Sequence, residues 1–319
     1  MSSGKSKRHL NQTWYVILFI FALSLFSSVF LSTIYYILAP FQERAVVFDR
    51  DQQMLTAARV LDFSGKFQIY ENDAWHPATY DKKSHLLKIT EKAPVVTGSV
   101  LDSYTQGFVR PLLANRRGEM FSFKEKNLNV AEFIEKHQNG HFYQQPLLLF
   151  YVILENTEKA RAMSDAEVIK NPSVIRAIII PISGFGLWGP IYGYLAVENN
   201  GDTVLGTAWY QQAETPGLGA NIANPHWQKQ FYGKKIFLEA ASGTTDFATT
   251  PLGLEVIKGS VQSVFGTSPK ARSSIDGISG ATLTCNGVTE AYALSLAPYR
   301  NLLISFAQLN NQRDRNGRQ

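Results

Sequence analysis

With 319 residues, the chain has room for one large domain or two smaller ones beside an anchor. Apolar residues make up 45% and the formal charge is only +5, much of it in two tails (Lys5, Lys7 and Arg8; Arg313, Arg315 and Arg318), which excludes the interleaved basic stripe of a nucleic-acid face. A single cysteine, Cys285, excludes an internal disulfide and the thiolate-rich zinc and iron–sulfur sites, and the six histidines show no metal-ligand spacing.

After a short polar tail (1–13), residues 14–38 carry no charge over twenty-five positions. A helix of that length crosses the ~30 Å hydrocarbon core with some tilt. Trp14 and Tyr15 at one end and Tyr35 and Tyr36 at the other fit interfacial aromatic belts. A cleaved signal peptide would have a shorter apolar core and a small-x-small site, and neither is present before Pro40. The stretch reads as a retained single-pass anchor. Lys5, Lys7 and Arg8 favour a cytoplasmic N-terminus against Arg44 and Arg50, so the rest is expected outside the cytoplasm.

Residues 42–62, within a connecting segment 39–64, have near-helical apolar spacing and predict a juxtamembrane helix. The stretch 65–174 is read as the N-terminal part of the extracytoplasmic domain. In it, 93–101 and 147–154 predict strands or buried segments, and 130–136 predicts a helix whose Glu132, Glu135 and Lys136 face solvent. No chemical site assembles there.

Gly184, Gly186 and Gly189 form a formal G-x-G-x-x-G after a convincing strand, 174–182. A dinucleotide fingerprint needs a helix next. Instead Pro190 follows, then a strand at 191–197, the hairpin signal Asn200-Gly201, and a strand at 203–210. This is antiparallel β structure, not strand–turn–helix. The run Glu214-Thr215-Pro216-Gly217-Leu218-Gly219 is either a plain connection or a binding loop, and 220–230 predicts a short helix ending near Gly233.

Strands are expected at 235–241 and 254–259. They lead to Asp276-Gly277-Ile278-Ser279-Gly280-Ala281-Thr282-Leu283-Thr284, and helices follow at 286–297 and 299–309, broken at Pro298. Gly280 and Ala281 let backbone approach a ligand, hydroxyls stand beside them, and a phosphate there would meet free amides and the positive end of a helix. Composition alone reads the same stretch as a capped loop. Ser279 lacks the G-x-S-x-G elbow of a hydrolase. The pattern gives an α+β class: antiparallel strands with segregated flanking helices behind one N-terminal transmembrane helix.

Three passages, GFGLWGPIYGYL at 184–195, ETPGLG at 214–219 and DGISGATLT at 276–284, stand in this order behind one anchor. Together they closely resemble the C-subunit family of bacterial Na+-translocating NADH:quinone oxidoreductases. The G-subunit family of the Rnf complex shares the flavin-binding domain and is the near alternative. The resemblance is strong over 175–300, taken as the FMN-binding domain, with 301–319 a helix end and polar tail. Residues 65–170 match it only loosely.

The resemblance implies FMN joined through its phosphate to Thr282 by a separate flavin transferase, with Asp276, Ser279, Gly280 and Ala281 completing the attachment motif. Thr284 is the competing hydroxyl, with helix capping as its other role. Trp188 is expected along the flavin ring, and Glu214, Thr215, Leu218 and Gly219 line it. Lys258 is the candidate cation for the reduced anionic form. Cys285 is a small residue at a helix start. No residue is assigned a catalytic role and no metal is expected. The implied protein is an electron-transfer subunit, single-pass in the bacterial inner membrane with its main domain in the periplasm. Its expected partners are the other, polytopic subunits of a complex coupling NADH oxidation and ubiquinone reduction to Na+ export. A membrane-anchored FMN-binding sensor is the alternative from another class.

Overall fold

Forty-five residues, Thr13–Ala57, form one helix, α1. The computed structural model describes residues 13–138, 141–239 and 245–316; the basic residues of the N-terminal tail lie outside them. The chain divides into two units, residues 1–49 and 50–319. Along α1 the apolar side chains of Ile17, Phe21, Phe26 and Leu31 are all exposed, as suits a helix whose surroundings are hydrocarbon. The helices expected at 14–38 and 42–62 are one element that runs through Pro40 and ends at Ala57. Proline removes one backbone donor and crowds the preceding turn, which kinks a helix without having to end it.

In the second unit, β1 (Gln68–Glu71), β2 (Ala74–Asp81) and β3 (Leu86–Ile89) form a small antiparallel sheet. Asn72 and Asp73 turn the first hairpin with φ of 51° and 59°, the left-handed pair that a two-residue hairpin loop requires. The strand or buried segment expected at 93–101 makes one isolated bridge, at Val95, and then enters a helix with Leu101 buried. Gly98–Phe108 is helix α2, with Leu101, Tyr104 and Phe108 buried at helical spacing. That periodicity outweighs the β-branched Val95 and Val96 just before it.

The central sheet has six antiparallel strands in the order β5-β4-β6-β7-β8-β9. They are β4 (Val109–Ala114), β5 (Met120–Phe121), β6 (Leu148–Leu154), β7 (Ile175–Phe185), β8 (Pro190–Glu198) and β9 (Val204–Gln211). The stretch 65–174 therefore supplies half of this sheet, and β6 pairs directly with β7 (Tyr151 opposite Ile179). Helix α3 (Val130–His137) is where the sequence predicts it, its first turn capped by the Asn129 side chain. Helices α4 (Glu158–Ala162) and α5 (Asp165–Lys170) connect β6 to β7.

Beyond β9 the chain is less regular than expected. The helix at 220–230 is only α6 (Pro225–Gln228) between two 3-10 turns. In the strand expected at 235–241, Lys235 and Phe237 make isolated bridges, and 240–241 lie outside the described residues. A three-residue β10 (Glu255–Ile257) precedes α7 (Val261–Phe265) and pairs with β11 (Ser274–Asp276), in parallel. Helix α8 starts at Thr282 and runs to Leu296, four residues earlier than predicted at its start. A 3-10 turn at Ala297–Tyr299 carries Pro298 before α9 (Arg300–Asn316). The α+β class with an antiparallel sheet behind one apolar N-terminal helix stands as expected.

Helix α8 lies against β7, and the contact is backbone on backbone: a Cβ on Gly287 would run into the carbonyl oxygen of Phe185. Gly287→Ala should therefore cost about 1–3 kcal/mol through forced separation of helix and strand. Urea unfolding would show this as a lower midpoint at unchanged slope.

Candidate functional site

Three connections meet at one end of the central sheet. Strands β7 and β8 are joined by Gly186–Gly189, where the Gly186 N–H donates to the Gly189 carbonyl at 2.8 Å. Strand β9 leaves the same end, since Gln211 pairs with Tyr192 near the start of β8, and runs into the 214–219 loop. There Pro216 and Gly217 (φ 78°) make a type II turn closed by the Leu218 N–H on the Thr215 carbonyl at 3.1 Å. The third connection is the loop from β11 to α8.

Glu214 ties these together. It is 5% exposed. One carboxylate oxygen accepts the Trp188 backbone N–H at 3.0 Å, and the other accepts the hydroxyl of Thr284 from the first turn of α8. Glycine is required on both sides of it. A Cβ on Gly186 would strike one carboxylate oxygen, and a Cβ on Gly219 would come within 2.7 Å of the other. The Trp188 indole N–H donates to the Thr215 hydroxyl at 3.0 Å, and its ring remains 66% exposed. Phe185, Leu187, Leu218 and Leu283 are exposed as well, so an apolar rim surrounds a polar, buried clamp.

The third loop is held from below. The Asp276 carboxylate accepts the Val261 N–H at 2.7 Å, its carbonyl accepts the Trp227 indole N–H at 2.9 Å, and its N–H donates to Gln230 at 3.0 Å. Asp276 thus acts on the loop's shape. The Gly277 N–H reaches the Gly259 carbonyl at 3.0 Å, which joins the exposed Lys258 turn to the motif. Gly280 adopts φ of 76°, and Leu218 packs close over it. Ser279, Gly280 and Thr282 are exposed, while Ala281 and Thr284 are buried.

Helix α8 begins with Ala281 at the N-cap, which makes no side-chain cap, and its first turn has no acidic residue. The first amides of such a helix have no intrahelical acceptor, so an uncapped fifteen-residue helix offers donors and a partial positive charge. The capping role considered for Thr284 does not hold: it sits inside the helix and its hydroxyl is bonded to Glu214. Burial pushes the Cys285 thiol above its usual value, and the sulfur accepts the Ile278 N–H at 3.4 Å. Cys285 should react with a thiol reagent on the order of 100-fold more slowly than in the unfolded chain, as measured by absorbance with and without denaturant.

The fold brings Trp188, Glu214, Thr215, Leu218, Gly219, Ser279, Gly280, Ala281 and Thr282 to these three adjoining connections. Sequence reasoning named Gly186 only within longer passages and gave it no role, and it missed Gly287, Gln230 and Trp227, which carry no local motif.

The FMN-binding domain family matches residues 186–297. The Na(+)-translocating NADH-quinone reductase C subunit of Chlamydia caviae is 86% identical to this chain, over 99% of each. The corresponding C subunit of Chlamydia pneumoniae is 63% identical over 98% of this chain and 99% of that one. The crystal structure of the C subunit from Parabacteroides distasonis overlaps 83% of this chain and 96% of its own, at 24% identity and a TM-score of 0.48.

Proposed function

This chain belongs to the C-subunit family of Na(+)-translocating NADH-quinone reductases, and on that premise we propose that it is the subunit that carries an FMN esterified to Thr282. It is part of an oxidoreductase complex and contains an FMN-binding domain. Bound FMN supplies a reversible electron carrier between NADH, oxidised elsewhere in the complex, and the membrane flavins and quinone whose reduction drives Na+ export. The Rnf-type alternative gives way to this reading on family membership.

The observation that carries the proposal is the exposed Thr282 at the first position of an uncapped helix. The residues fit the group. A phosphodiester keeps one negative charge, which the free amides at the start of α8 stabilise, beside the Ile278–Ala281 turn closed by the Ala281 N–H on the Ile278 carbonyl. The exposed faces of Trp188 and Leu218 offer a flat apolar ring a platform, and the Thr215 hydroxyl fixes the indole edge. Lys258, on the turn bonded to Gly277, supplies positive charge next to it. Glu214, Asp276, Ser279, Gly280, Ala281 and Gly219 hold these groups in register. A flavin transferase installs the ester. The apolar part of α1 crosses the inner membrane, with the N-terminus in the cytoplasm and the folded unit in the periplasm.

Electron flow in the assembled complex tests this function. With Thr282→Val in place, NADH oxidation by an artificial acceptor should persist, while quinone reduction falls on the order of 100-fold or more because one carrier is missing. Undiminished quinone reduction would show that electrons bypass this chain.

A further inference from the structure

Arg176 and Phe185 stand at opposite ends of β7, so Arg176 lies at the far end of the sheet from the site above. Beside it, Arg59 follows the last turn of α1 with φ of 53°, a left-handed position that glycine usually fills at a helix end. Its N–H donates to the Thr56 carbonyl at 3.0 Å, and the next N–H, of Val60, donates to the Leu55 carbonyl at 2.9 Å. An arginine here strains the backbone, so its side chain needs an account.

The Arg59 guanidinium is sandwiched between two rings, 4.1 Å from the centroid of Trp75 and 4.2 Å from that of Tyr232. Its Nε is buried with no hydrogen-bond partner. The Arg176 guanidinium lies 5.3 Å from the same Trp75 ring and donates to the Ala58 carbonyl at 3.1 Å. Arg59, Arg176, Tyr70, Trp75, Glu155 and Glu198 line a cavity of about 420 Å³. Among the described residues, no ion pair joins either arginine to either glutamate.

We propose that this cavity binds a small monocarboxylate with a flat apolar body, its carboxylate on Arg59 and Arg176 and its body against Trp75 and Tyr70. Guanidinium forks match a planar carboxylate. The Tyr70 and Trp75 rings, with centroids 5.2 Å apart and tilted by 48°, form an aromatic wall. Glu155 and Glu198 offset part of the arginines' charge, so a dianion such as phosphate is disfavoured more strongly than a monocarboxylate. The inference does not rest on the flavin reading.

Thermal unfolding and tryptophan fluorescence of the full chain in detergent, titrated with benzoate at constant ionic strength, test it. Benzoate should stabilise the protein and change the fluorescence at millimolar concentration, with acetate and phosphate at least about tenfold weaker. Arg59→Gly suits the left-handed backbone, and it should weaken the benzoate response at least about tenfold. Arg176→Gln, the second variant, should weaken it as well. No benzoate response in the wild type, acetate or phosphate matching benzoate, or an unchanged response in either variant would overturn the proposal.

Discussion

A Thr282→Ala chain made beside a working flavin transferase should carry no covalent FMN, and its flavin absorbance after denaturing gel filtration should fall to baseline. Thr282 is the exposed hydroxyl on the first turn of α8, whose free amides suit a phosphodiester. Thr284, two residues on, is 1% exposed and bonded to Glu214, so a transferase has no access to it. Because position 282 is exposed and its hydroxyl caps nothing, the substitution should change stability by no more than about 0.5 kcal/mol. Thr284→Val should do the reverse, keeping the flavin and losing stability. Flavin retained in Thr282→Ala at wild-type level would move the attachment elsewhere.

Glu214→Gln should destabilise the folded unit by about 1–2 kcal/mol, although it changes shape very little. Two donors converge on this side chain: the Trp188 N–H on one oxygen and the Thr284 hydroxyl on the other. A carboxylate accepts at both ends, whereas an amide has one acceptor oxygen and presents an NH2 to the second donor. The amide oxygen can keep the Trp188 N–H, and the NH2 can donate to the Thr284 hydroxyl, whose proton then turns away, so both contacts survive as neutral bonds and each loses its charge assistance. Backbone close against both oxygens, at Gly186 and Gly219, leaves the amide no room to turn away. Thr284→Val and Glu214→Gln both remove the charge-assisted bond between these two side chains, so the double variant should lose less than the sum of the singles. Urea unfolding of the four proteins checks this. A loss below about 0.5 kcal/mol in Glu214→Gln, with strict additivity, would mean that Glu214 is no clamp.

Much of this was legible in the residues. Uncharged length marks α1, and β7, β8 and β9 announce themselves through apolar runs and the Asn200-Gly201 turn. The first two glycine-bearing passages meet because β7, β8 and β9 are antiparallel neighbours whose ends coincide, and the third joins them because α8 packs on β7 and Thr284 bonds Glu214. What escaped was non-local or ambiguous in period. The parallel pairing of β10 with β11 joins residues far apart in sequence through three positions each, too few for a pattern. The start of α8 was set too late because Thr282 and Thr284 read as loop hydroxyls, yet they fill its first turn. The resemblance names Glu214 only as one of the residues lining the flavin. Its burial by Gly186 and by Thr284 of another element is visible only once the chain is folded.

The most direct measurement is peptide mass analysis with fragmentation of the protein matured by its flavin transferase. Cleavage after Arg272 and Arg300 releases one peptide, 273–300, that contains every hydroxyl of the motif. The expected result is an adduct of FMN less one water on this peptide, with fragment ions that place it on Thr282. An adduct on Ser279 or Thr284, or an unmodified peptide beside an active transferase, would contradict it.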